Sequence, residues 1–330
     1  MLSRTADHLF WMARYIERAE NTARMLDVNM QTALMPQSGE ATRKGWRALL
    51  GISELQPAFD AKYDRLSEPD VLDFMVQDRS NPSSIASCLT QARENARAVR
   101  GTLTTELWET HNTTWLEMQT RLNEGMLEQD PGAFFEWVKY RSHLSRGVTI
   151  GTTLRDESFY FIRIGTFLER TDNTARLLDV KFHDADSNMP SGEGLGNETQ
   201  LDFYFWAAIL RSVSAFETYR KVYRDAITPA RVAELLMLRV DMPRSLRHCM
   251  NEVVNNLKHV GNEVSADTER YAGKLHAQLQ FARIEEILEE GLHAYLTRFL
   301  ECVYELGQRV SRDFLVPPSV RGTGKALDET

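Results

Sequence analysis

Two stretches of the chain carry the same charged, helix-compatible signature. Residues 17–28 read ERAENTARMLDV and residues 169–180 read ERTDNTARLLDV, identical at nine of twelve positions. On a helix, at about 100° per residue, Glu17, Asn21 and Arg24 share one face, flanked by Glu20 and Asp27 toward the apolar seam. The second copy sets out Glu169, Asn173 and Arg176 in the same way, flanked by Asp172 and Asp179. Glu20 precedes Arg24 by four residues, the favourable order for a helical ion pair. Arg18 and Arg170 point to a different side, where they can bind another helix. Carboxylates, guanidinium groups and a carboxamide in this pattern allow two chemistries. One is a buried polar seam whose groups pair across two halves of the molecule and set their register. The other is a site: two carboxylate clusters binding a divalent metal, or arginines holding a carboxylate or phosphate. Duplication copies structure and function alike, so the repetition leaves both open.

The other reactive residues form weaker patterns. Eight histidines are scattered, with no HExxH and no pair four residues apart, so surface or capping roles are expected rather than zinc ligation. The glycines of SGEGLG (191–196) are not followed by Lys-Ser/Thr, which marks a linker rather than a phosphate loop. No cofactor is evident. Cys88, Cys249 and Cys302 lie far apart without a CxxC, which suits reduced thiols. Cys88 and Cys249 fall at matching places in the two copies and read as small core residues. Trp11 lies off the main seam and is expected to pack against the other half or a partner.

The elements that must position these groups are helical. The chain has 330 residues, 42% hydrophobic and 26% charged, which allows a sizeable core and argues against global disorder. The net charge of -8 argues against a nucleic-acid surface over the whole protein. The densest apolar run, 203–210, is too short to span a membrane, and the N-terminus shows no apolar signal core, so a cytoplasmic location is expected. Glycine and proline are scarce and clustered, and alternating β-branched runs are missing, which predicts an all-α fold. Leu9, Met12, Ile16, Ala19, Ala23, Leu26 and Met30 follow a 3-4 spacing and predict one helix over 5–34, ended by Pro36 and the polar stretch PQSGEAT. Asn81-Pro82, Asp130-Pro131 and Thr228-Pro229 read as cap-then-proline helix starts, and Ser67 with Pro69 as another. Residues 186–199 have the composition of a flexible connection, and the chain from Pro317 reads as a loose tail.

The similarity between the halves extends past the motif. Trp46 and the residues to Leu50 align with Trp206 to Leu210, and PSSIASC ending at Cys88 aligns with PRSLRHC ending at Cys249. The chain is therefore expected to hold two tandem, internally duplicated helical-bundle units packed with pseudo-twofold symmetry. The units are 1–150 and 151–316, with five or six helices each and a flexible tail at 317–330.

Residues 2–28, LSRTADHLFWMARYIERAENTARMLDV, resemble the alpha-E domain family, bacterial helical proteins with a characteristic Glu-Arg motif. Glu17-Arg18 and Glu169-Arg170 carry that pair, and the resemblance extends to about residue 317. It implies association with an ATP-grasp-type amide ligase, often with a transglutaminase-like peptidase, in a peptide-synthesising or protein-modifying system. The expected function is then a partner or a peptide- or product-binding subunit of such a system, with a peptide or amino-acid ligand. The alternative is a stand-alone enzyme whose acidic and arginine site lies on the two motif helices, with a divalent metal as one option. A terpenoid synthase is a further all-α alternative, but DDxxD is absent and each motif here includes arginines.

Overall fold

The apolar spacing that begins near Leu9 folds as one 31-residue helix, α1 (Ser3–Ala33), burying Leu9, Met12, Ala19, Ala23 and Leu26. A computed structural model describes residues 1–34, 39–187 and 198–315 of the chain. The first half continues through α2 (Gly39–Ile52), α3 (Gln56–Asp60), α4 (Glu68–Val76), α5 (Ile85–Ala98), α6 (Thr105–Asn123), α7 (Met126–Gln129) and α8 (Pro131–Thr152). The second half runs α9 (Glu157–Ser187), α10 (Glu198–Ser212), α11 (Phe216–Tyr223), α12 (Pro229–Met237) and α13 (Leu246–Val260). It ends with α14 (Ala266–Phe281), α15 (Ile284–Glu290), α16 (Leu292–Val310) and a π-helical turn at Ser311–Leu315. The described residues are all-helical in their regular structure, with no strand among them, and none of their helices is long and apolar enough to cross a membrane.

Local capping explains most boundaries. The Ser67, Asp130 and Thr228 side chains accept backbone N–H groups at the starts of α4, α8 and α12, each with proline in the first turn. The start expected at Asn81-Pro82 lies elsewhere. Ser84 caps α5, its Oγ accepting from Ser87 N at 3.2 Å, while Asn81 accepts from Ser83 N and donates to Phe74 O of the preceding helix α4. The Asn81 side chain closes a local turn, and the next residue able to cap in extended geometry takes over. Part of the polar stretch after α1 is also helical, since Gly39 to Thr42 open α2. Eight α-helices stand in each half among the described residues, more than the five or six expected, because α3 and α7 in the first half and α11 and α15 in the second are too short to show a periodic face. Residues 186 and 187 end α9 and residues 198 and 199 open α10; the rest of the expected connection, and the chain from 316, lie outside the described residues.

One contiguous core runs through both halves. At its centre α1 packs on α9; α5 and α8 lie on α1, while α13 and α16 lie on α9. The α1–α9 approach depends on Gly165, where an added Cβ would sit 2.3 Å from the Phe10 carbonyl oxygen. Trp46 on α2 and Trp206 on α10 are each 2% exposed. Cys88 and Cys249 are fully buried, with Sγ facing the Pro82 and Pro243 carbonyls at 3.8 and 3.7 Å. Trp11 is half-buried, stacked under the Arg14 guanidinium at 4.8 Å and packed on Phe10 and Tyr15 of its own helix.

Candidate functional site

The packing of α1 against α9 turns the polar faces of both motif helices inward, where each charge needs a partner. The Glu-Arg pairs cross over. Arg170 of the second motif clasps Glu17 of the first, Nε to Oε1 at 2.8 Å and Nη2 to Oε2 at 2.9 Å. Arg18 of the first motif clasps Glu169 of the second, at 2.6 and 3.2 Å, joined by Arg14 Nε at 2.7 Å. These are bidentate guanidinium–carboxylate pairs, the strong and geometrically specific kind.

Around Glu17 the cluster grows. Arg244, just before the Ser245 cap of α13, donates to Glu17 at 3.0 Å, to Asn21 Oδ1 at 2.9 Å and to Glu20 at 2.6 Å. Arg24 reaches back to Glu20 Oε1 through Nε at 2.9 Å and Nη2 at 2.8 Å, and its Nη1 donates to Ser214 Oγ at 2.6 Å. From α8, Arg146 binds Glu17 at 3.0 Å and also Glu20, and Ser142 Oγ donates to Glu20 at 2.6 Å. Burial pushes the Glu20 carboxyl up, but Arg244, Arg146 and Arg24 hold it well below the usual range. Glu17 is likewise raised by burial and brought below its ordinary value by Arg170 and Arg244. Against the same burial, Arg14 and Arg18 hold Glu169 at about 2.

The remaining motif residues lie apart from Glu17. Asp172 pairs with Arg176 at 2.8 Å, and Arg176 also reaches Glu54 of the first half. Asp27 receives Lys139 Nζ at 2.8 Å, and Asp179 meets His293 Nδ1 at 2.6 Å. Asn173 is half-buried on α9 and is not one of the ion-paired groups. Arg14, Arg146, Arg244 and Ser142 could not be found from the motif. Arg14 lies in the 2–28 stretch that carries the resemblance, and Arg244 stands opposite Ser83 in the aligned stretches ending at Cys88 and Cys249.

The carboxylates of Glu17, Glu20 and Glu169 are all paired with arginines. Among the described residues no set of three or more His, Cys, Asp or Glu is placed to hold a metal ion. Burial pushes the Cys88 and Cys249 thiols up to about 12 and His111 down to about 4, so all three are neutral at pH 7. His111 is also 2% exposed, not the surface or capping histidine expected.

A cavity of about 220 Å³ opens against the Glu17 cluster, between α1, α8, α9 and α13. Its polar lining includes Glu17, Arg146 and Arg170, with Arg163, His111 and His248, and its apolar lining includes Met12, Ile16, Ile162 and Phe167. Ile150 and Arg163 also line a second cavity of about 280 Å³, where Tyr160 and His259 stack with ring centroids 4.2 Å apart.

A family model, Alpha-E, described as a predicted alpha-helical domain with a conserved ER motif, matches residues 1–315. An uncharacterized protein of Mycobacterium bovis is 26% identical over 322 residues, covering 91% of this chain and 35% of its own length. An uncharacterized protein of Mycobacterium tuberculosis strain H37Rv is 25% identical over the same extent and coverage. The chain thus spans about a third of the length of the curated relatives it matches. No solved structure matches.

Proposed function

The chain belongs to the Alpha-E family, and from that premise we propose that it is the helical component of an ATP-grasp-linked system forming peptide or amide bonds. In that role it is a partner of the ligase and a peptide- or product-binding subunit. The observation that carries this reading is the cavity at the junction of the motif helices, whose lining combines the charged Glu17, Arg146 and Arg170 with apolar side chains. A space where polar groups converge on an apolar pocket suits recognition of a small ligand. The engagement of every carboxylate of the Glu17 cluster by arginine, and the neutral state of Cys88, Cys249 and His111, favour binding over stand-alone catalysis. In the curated relatives the matched region shares its chain with about two thirds of further sequence, which supports work alongside other domains.

The same reading includes descent from a tandem duplication, with pseudo-twofold packing of the halves. It is supported by the matching order and similar lengths of α1–α8 and α9–α16, and by the reciprocal Glu17–Arg170 and Glu169–Arg18 pairs, since a twofold contact returns each interaction.

The test mixes the chain with an ATP-grasp-type amide ligase from the same cell and follows association, ATP turnover and mass gain on candidate peptides. Association with altered turnover or product is expected. No association at low salt, with turnover and product unchanged, overturns the proposal.

A further inference from the structure

The two motif clusters differ in charge. Glu169, Asp172 and Glu54 face Arg14, Arg18 and Arg176, three anions against three cations. Glu17 and Glu20 face Arg24, Arg146, Arg170 and Arg244, two anions against four cations. The contrast is visible at one pair of turns. Glu54, at φ 55°, closes the α2–α3 turn and meets Arg176 with a carboxylate. Ser214, at φ 53°, closes the α10–α11 turn and meets Arg24 with only a hydroxyl.

Hydrogen-bond donors are in excess at the same place. Asn21 is 3% exposed, and its Nδ2 has no acceptor. At the exposed rim of the cluster the His143 ring faces Arg146 Nη2 at 2.6 Å through Nδ1 and Arg24 Nη2 at 3.3 Å through Nε2. A neutral imidazole accepts at only one nitrogen, so one of those contacts sets donor against donor. Burial presses the Arg244 guanidinium below its ordinary pKa in spite of Glu20 and Glu17, with Arg170 and Arg24 adding repulsion. A surplus of cations, with Arg24, Arg170 and Arg244 buried and Arg146 part-buried, and an unmet buried donor on Asn21 call for an acceptor-only, negatively charged ligand.

Arg146 and Arg170 join this cluster to the 220 Å³ cavity, and Arg163 lines both that cavity and the second one. We propose that the cavity is an oxyanion site, for the carboxylate of a peptide or amino acid or for a phosphate group, held by Arg146 and Arg170. The Glu169 cluster is its charge-balanced structural counterpart. This site needs no ligase, so its test is separate from that of the proposed function.

The isolated chain is titrated at constant ionic strength with acetate and with inorganic phosphate, chloride serving as the reference anion. Saturable binding of one oxyanion per chain is expected, with a rise in melting temperature. Acetate the tighter ligand assigns a carboxylate; phosphate the tighter assigns a phosphoryl group. Arg146→Gln should weaken binding about tenfold or more, the loss of one charge-assisted hydrogen bond. It should leave the ligand-free melting temperature unchanged or higher, because it removes a surplus cation. Arg176→Gln, in the balanced cluster, should leave the affinity unaltered. Equal, non-saturable responses to acetate, phosphate and chloride overturn the proposal. So do an unaltered affinity in Arg146→Gln and a loss of folding in that variant, which would mean the charge is not in surplus.

Discussion

Glu17 and Glu169 occupy the same place in their motifs, yet their removal should cost different amounts. Glu17 is 1% exposed, and its partners Arg170 and Arg244 have side chains only 8% exposed. With Glu17→Ala these guanidinium groups cannot turn to water, and four arginines are left around Glu20 alone. Breaking a buried pair from one side costs about 3–5 kcal/mol. Glu169 is also buried, at 6% exposed, but Arg14 and Arg18 are 17% and 27% exposed and can recover hydration by small rotations. Glu169→Ala should therefore cost about 1–3 kcal/mol. Urea unfolding followed by helical circular dichroism gives both values from the shift in midpoint at unchanged slope. Arg170→Met combined with Glu17→Ala should be less destabilised than the sum of the single changes, by about 1–3 kcal/mol. A cost for Glu17→Ala below about 1 kcal/mol, or no larger than that for Glu169→Ala, would refute the reasoning that accessibility of the arginines sets the penalty.

Stability should fall on acidification from about pH 6.5 toward 2, because His111 titrates at about 4 when folded against 6.5 when free and Glu169 at about 2 against 4.5, and Glu17 and Glu20 are also lowered. A depressed folded pKa contributes stability above the unfolded value and loses it as protons bind; a melting temperature flat across that window would contradict this. Gly165→Ala should destabilise by about 2 kcal/mol or more, since its Cβ would meet the Phe10 carbonyl and force α1 from α9; a wild-type thermal melt would disprove the close approach. Thiol labelling of the native protein at pH 8 should modify the partly exposed Cys302 while sparing buried Cys88 and Cys249, whose thiols titrate at about 12; mass spectrometry of digests reads the sites. Exposed Glu40→Ala should change stability by no more than about 0.5 kcal/mol in the same urea assay.

Much of this molecule is local and was legible in the amino-acid order. The 3-4 spacing from Leu9 to Met30 identifies α1, and the caps at Ser67, Asp130 and Thr228 mark three further helix starts, because both depend on residues within a turn or two of each other. Asn81 was misleading for the same reason: two residues within one turn could cap, and the turn closed by Asn81 hands the helix to Ser84. The motif residues that share a face also follow from spacing alone. Which charges meet across that face does not. Glu17 finds Arg170 at a separation of 153 residues and Arg244 at 227, and Arg146 arrives from α8 with no motif to announce it. Those partners are chosen by where α1 and α9 cross, at Gly165 against Phe10, and by which neighbours then close over the polar faces. Helical periodicity decides only the direction in which a side chain leaves its own helix. Its partner, its access to water and the balance of charge around it belong to the packing of helices far apart in the chain, and only the tertiary structure decides them.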